Sequence, residues 1–179
     1  MAKRTKILAI DPGTRDMGVA FLEDDVLQDY GVKSVRRGPK ARDLLLSLEN
    51  ILTRLIQEKQ PDVIALEQNH FSHIKQNLLL TLTVAKLKAI AKRCNVPVEE
   101  YAPNTVRKAV CNNGNATKRQ LAQVVAARYT ELNAYLESNR RWRERYYQNI
   151  FDAIAVGLTF LAHQPKDDEW TDSNSTADR

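Results

Sequence analysis

The sequence predicts an α/β sandwich built on a mixed sheet, in a single domain. Two observations carry this. Strand-like runs come first (6–11, 17–22 and 26–35), and further strand-like runs at 63–67 and 96–101 then alternate with helical stretches. The length, 179 residues, is room for one ordinary domain. At that size a chain buries roughly two thirds of its unfolded surface and needs no disulfide to hold its core.

Taken in order, KILAID (6–11) is a short apolar run that meets a Pro-Gly turn signal at Pro12 and Gly13. MGVAFL (17–22) and VLQDYGVKSV (26–35) follow, punctuated by Asp-Asp and by Gly-Pro-Lys, which predicts an antiparallel meander. Between 41 and 59, Leu44, Leu45, Leu48, Ile51, Leu52, Leu55 and Ile56 recur at helical spacing. Pro61 resets the chain before VIALE (63–67), an apolar strand with a carboxylate at its end. A helix is predicted over 74–93, a strand over 96–101, and helices near 103–111, 117–137 and 146–163. The 74–93 helix is apolar around nearly its whole circumference, from Leu78 to Ile90. Such a helix must be covered on all sides. Because Lys86 and Lys88 suit the centre of a monomeric core badly, the expectation is a helix shared with a second subunit.

Composition narrows the function classes. Hydrophobic residues at 43% and charged residues at 27% are those of a folded, soluble chain. Cys94 and Cys111 stand alone, far from any CxxC or His cluster, which excludes a disulfide scaffold or zinc ribbon and suits a reducing cytosol. No apolar run is long enough to span a bilayer, and MAKRTKILAID lacks a signal-peptide core, so the expected location is cytoplasmic. The net charge is +5, but residues 164–179 hold two basic and five acidic side chains, which leaves +8 on the body. That tail is expected to lie outside the folded 1–163 domain, and the basic body is consistent with a polyanionic partner.

Three carboxylates have unusual settings. Asp11 follows ILAI and Glu67 follows VIAL, both where a strand leaves the sheet. Asp152 sits inside the apolar helical run YYQNIFDAIAVGLTFLAH, where an unpartnered charge is costly. If the three converge, they cannot all stay ionised at close range without a cation. Mg²⁺ takes hard oxygen ligands and keeps water positions open for a phosphate substrate, and a pair of such ions suits phosphodiester cleavage. Taken singly, each acid is explained equally well as a cap or an ion-pair partner.

Four motifs in order give the chain a family likeness. AIDPGTRDMGVAF, VIALEQ, YAPNTVRKAVCNNGNATKRQL and NIFDAIAVGL, spread over about 6–163, resemble the RuvC family of Holliday-junction resolvases within the ribonuclease H-like superfamily. The resemblance implies a five-stranded ribonuclease H-like sheet flanked by helices, to which the apolar 74–93 helix adds the expectation of a homodimer formed through it. It also implies a Mg²⁺-dependent endonuclease with two ions per site, for which Mn²⁺ can substitute, cutting four-way DNA junctions in recombination and repair. By the same resemblance Asp11, Glu67 and Asp152 are the metal ligands, with Lys118 near the scissile phosphate and Arg15 and Arg107 on DNA. His70 or Phe71 would stack on junction bases, at about 1–3 kcal/mol per base.

Two features depart from the family pattern. Asn149 stands three residues before Asp152, where an Asp or His is usual. One helical turn keeps it on the same face, as a neutral oxygen ligand, and Gln148 is the next candidate if Asn149 points away. NRRWRERYY (139–147), with Arg140, Arg141 and Arg143 around Trp142, suits phosphate contacts with stacking, or else a solvated helix end with Trp142 as a core anchor. The alternatives are a YqgF-type nuclease acting on RNA and a catalytically weak junction-binding protein. An actin-like ATP-binding fold needs two lobes, more than 179 residues supply.

Overall fold

The computed structural model describes residues 3–34, 41–68, 78–136 and 141–165, the side chains of residue 41 and of residues 141–145 excepted. Its centre is a five-stranded sheet of β1 (Lys6–Asp11), β2 (Asp16–Glu23), β3 (Val26–Ser34), β4 (Val63–Glu67) and β5 (Val98–Tyr101), in the order β3-β2-β1-β4-β5. The β1–β2–β3 meander is antiparallel, whereas β4 and β5 join β1 in parallel, so the sheet is mixed. Helices α1 (Ala41–Lys59) and α2 (Leu78–Arg93) cover one face. The other face carries α3 (Pro103–Cys111), α4 (Lys118–Arg128), the short α5 (Asn133–Leu136) and α6 (Arg141–His163).

Period-two alternation decides which residue meets which layer. Along β1, Leu8 and Ile10 pack towards α1 and α2, and Ile7 and Ala9 pack towards α6. All four are fully buried, which is why the strand reads as a continuous apolar run. Ala9 is paired with Ala20 on one side and Ala65 on the other, so three alanines lie abreast across β2, β1 and β4. This low lane lets α6 lie close to the middle of the sheet. Gly157 of α6 meets it so tightly that a methyl added there would come within 2.6 Å of Leu22 and 3.2 Å of Ala9. Further along, a methyl on Gly18 of β2 would lie 1.9 Å from the backbone oxygen of Asn149 in α6.

Several boundaries differ from expectation. The predicted 96–101 strand begins at Val98, because Val96 still closes the end of α2 by donating its N–H to the Ala91 carbonyl. The predicted 117–137 helix breaks after Arg128 into a 3₁₀ turn, Thr130–Leu132, before α5. There Leu132 is fully buried, and the Tyr129 hydroxyl donates to the Asp25 carbonyl at 2.7 Å; tertiary contacts outweigh helical continuation. The last helix begins at Arg141 rather than 146, so most of the basic stretch at 139–147 is the opening of α6 rather than a segment before it. Tyr147 packs on Tyr135 (centroids 4.7 Å apart), which in turn meets Tyr30 at 6.0 Å.

The expectation of an all-round buried 74–93 helix is also corrected. Residues 74–77 lie outside the described set, and α2 within one chain buries a single stripe of Thr83, Leu87, Ile90 and Ala91. Leu78 and Leu82 stay exposed at 65% and 40%. Lys86 pairs with Glu49 at 2.8 Å and Lys88 pairs with Glu100, so neither lysine enters the core. Among the described residues no helix is long and apolar enough to cross a membrane.

The approach of α6 to β2 leads to a stability prediction. Gly18→Ala must displace backbone, so it should cost at least the upper part of the ~1–3 kcal/mol range for overpacking. Gly31→Ala in β3, where a methyl meets nothing within 4 Å, should be neutral or mildly stabilising. Urea unfolding of the two variants checks this; equal stabilities would mean that α6 moves freely over β2.

Candidate active site

Strand register alone brings the first two carboxylates together. Ile10 of β1 is paired with Leu66 of β4, so Asp11 and Glu67 are the next residues of two parallel strands, at the same end of the sheet. Strands are spaced ~4.8 Å apart. Both residues share the parity of Ile7, Ala9, Val63 and Ala65, which face α6, so both carboxylates leave the sheet on that side. The Asp11 and Glu67 carboxyl groups are near enough for each to influence the other's ionisation.

Helix α6 delivers the third. Asn149 rests on Gly18, the cross-strand partner of Asp11, and Asp152 follows one turn later with only 7% of its side chain exposed. Both Asp152 oxygens are engaged. Lys118 Nζ donates to Oδ2 at 3.0 Å, and Gln148 Nε2 donates to Oδ1 at 2.7 Å. Lys118 is the first residue of α4, whose start is held by a capping box. The Gln120 N–H donates to Thr117 Oγ1 at 3.2 Å, and the Thr117 N–H donates to Gln120 Oε1 at 2.8 Å. A lysine at a helix N-terminus opposes the helix dipole, so its place here is set by the carboxylates it faces.

The electrostatics are those of crowded acids. Burial first, then the charges of Asp152 and Glu67, hold Asp11 well above the usual aspartate range, and Lys118 offsets only part of this. Asp11 is therefore harder to ionise than an ordinary aspartate. Glu67 is raised as well, by burial and by Asp152, against the lowering effect of Lys118, Asp11 and Arg107. Burial alone would lower the Lys118 ammonium, but Asp152, then Asp11 and Glu67, carry it above its ordinary value.

As the side chains stand, no three acidic, His or Cys groups among the described residues close into a ligand cage. Asp152 is occupied by Lys118 and Gln148 instead. The donor set nonetheless fits a small hard cation, with three carboxylates of hard oxygen facing a single ammonium that is 64% exposed and able to withdraw.

Arg107 of α3 is half-buried, and its charge acts on Glu67. Arg15 is exposed in the β1–β2 turn, within a few residues of Asp11. His70, Phe71 and Arg140 lie outside the described residues, as do the side chains of Arg141 and Arg143 on the first turn of α6. Gly18 was not anticipated from the sequence: it acts as the seat of α6, and no local pattern distinguishes it from a strand glycine. Gln148, expected only as a substitute ligand for Asn149, acts as a donor to Asp152, which its four-residue spacing on a helix could have flagged.

A stability prediction follows from the raised Asp11. Its folded value lies above the unfolded one, so the stability it contributes is present at acid pH and is lost as pH rises through the folded value. Asp11→Asn should therefore melt at a higher temperature than the parent at pH 7.5 in EDTA, and gain less from added Mg²⁺. Thermal unfolding checks this, and an unchanged or lowered melting temperature would show that the acids do not repel.

Residues 7–160 match the family model described as crossover junction endodeoxyribonuclease RuvC. The proteins of that name from Akkermansia muciniphila and Chloroflexus aggregans are 33% and 35% identical to this chain. The first alignment covers 87% of this chain and 90% of the relative; the second covers 67% and 76%. The fold is that of the Thermus thermophilus RuvC solved in complex with its Holliday junction substrate, at a TM-score of 0.70 and 20% identity over 87% of this chain and 92% of that one. With the acids at the ends of β1 and β4 and on α6, and a match running through all five strands, the chain belongs to the RuvC family of crossover junction endodeoxyribonucleases.

Proposed function

We propose that this protein is a divalent-metal-dependent endonuclease that cleaves four-way DNA junctions at symmetric positions, acting as a homodimer in cytoplasmic recombination and repair. The observation that carries the proposal is the convergence of Asp11, Glu67 and Asp152 beside Lys118 on one end of the sheet. In this reading the three carboxylates and the Asn149 carbonyl hold two Mg²⁺ ions, for which Mn²⁺ can substitute. When bound, the ions supply an activated water and stabilise the leaving oxygen.

The chain's own residues do the rest. Lys118 gives up its contact with Asp152 and sets its ammonium against the scissile phosphate, where negative charge grows. Arg107 and Arg15 flank the site and take neighbouring phosphates, fixing the register of the strand without reading its bases. His70 or Phe71 is assigned to stacking at the junction centre, and Arg140, Arg141 and Arg143 to phosphates further out; all lie outside the described structure. An RNA substrate is disfavoured by membership of an endodeoxyribonuclease family.

The exposed Leu78 and Leu82 support pairing through α2, since two such apolar surfaces bury one another across a two-fold axis. A junction has approximate two-fold symmetry of its own, so paired sites match paired cuts.

Two experiments test this. Asp11→Asn and Glu67→Gln should each reduce nicking of a labelled four-way junction by at least about 10³-fold, while gel-shift binding in Ca²⁺ persists, because phosphate contacts dominate affinity. Nicking retained in either variant would remove that residue from the site. For the dimer, Leu82→Glu and Leu78→Glu should give folded monomers by light scattering, since both side chains are exposed within one chain. Leu79 packs against its own core and makes a poorer probe. A soluble Leu82→Glu protein that remains dimeric places the interface elsewhere.

A further inference from the structure

The contact between Gln148 and Asp152 has a role that the ligand set does not include. Asp152 is the ligand carried by a helix rather than by the sheet, and its side chain must be held at one rotamer to meet Asp11 and Glu67. One of its oxygens is bonded to Lys118, a side chain that is 64% exposed and that the proposed mechanism withdraws. The other is bonded at 2.7 Å to Gln148, one turn earlier on the same helix and half-buried. A carboxylate offers only acceptors, so the Gln148 amide must present its N–H to Oδ1, and its own carbonyl points away from Asp152. Each carboxylate oxygen has a second lone pair, so the bond orients Oδ1 without using it up.

We infer that Gln148 is a positioning residue, fixing the Asp152 carboxylate for the cation when Lys118 leaves it. This rests on Asp152 being a metal ligand, as proposed above. Asn149 does not take this part: Gln148, not Asn149, donates to Asp152. The device is local to α6 and needs no charge. Partners that orient a ligand in this way typically contribute about 10–100-fold to metal affinity.

The test is titration of the full-length protein with Mn²⁺ alone, following the free-ion signal by electron paramagnetic resonance, alongside the Mn²⁺ dependence of junction nicking. Gln148→Met keeps the side-chain length and loses the donor. It should bind Mn²⁺ about tenfold more weakly and need about tenfold more Mn²⁺ for half-maximal nicking. Gln148→Glu supplies oxygens but no donor, and should also bind more weakly. Unchanged Mn²⁺ binding in Gln148→Met overturns the inference, and binding by Gln148→Glu as tight as the parent makes residue 148 a ligand instead. Asp152→Asn separates the two levels: if it leaves Mn²⁺ binding intact, the site assignment itself fails, and if it abolishes binding while Gln148→Met does not, only the role of Gln148 falls.

Discussion

The close docking of α6 on the middle of the sheet is the constraint on which the rest of the structure depends. Ala9, Ala20 and Ala65 form a lane one methyl high across three strands, and Gly157 and Gly18 remove the last obstacles beneath the helix. A larger residue at any of these places would raise the helix by the width of a side chain. Core packing at crystal-like density transmits such a shift directly to whatever the helix carries. Here it carries Asp152, whose position relative to Asp11 and Glu67 decides whether three oxygens can share a cation.

The site opposes the fold that builds it. Three acids are gathered in a partly dehydrated corner, and two of them are held above their usual pKa range by burial and by one another. The Lys118 ammonium, bonded to Asp152 at 3.0 Å, offsets part of this repulsion. That side chain is 64% exposed, so its contact can be exchanged for another. Stability is given up locally for a poised site and is recovered in the two apolar layers on either side of the sheet.

The two faces also divide the work. The α3, α4 and α6 side carries Arg107, Lys118 and Asp152, whereas among the described residues α1 and α2 contribute apolar packing and ion pairs such as Lys86–Glu49. The exposed leucines of α2 therefore lie on the opposite face of the sheet from the three acids.

Much was legible from residue order. Strands β1 to β4, helix α1 and helix α3 fall within a residue of expectation, because period-two and helical patterns with Pro and Gly punctuation are local signals. The acids at strand ends were equally visible, since a charge closing an apolar run is conspicuous. The break after Arg128 was not, because the burial of Leu132 and the Tyr129–Asp25 contact that produce it span more than a hundred residues of chain. Nor was the exposure of Leu78 and Leu82: composition shows that a helix is apolar, but only packing shows which side its own chain covers. The sequence by itself determined the fold class and the three carboxylates. Only the tertiary structure decided that Lys118 reaches Asp152, because that depends on how α4 packs beside α6, whereas the Gln148 contact lies within one turn of α6.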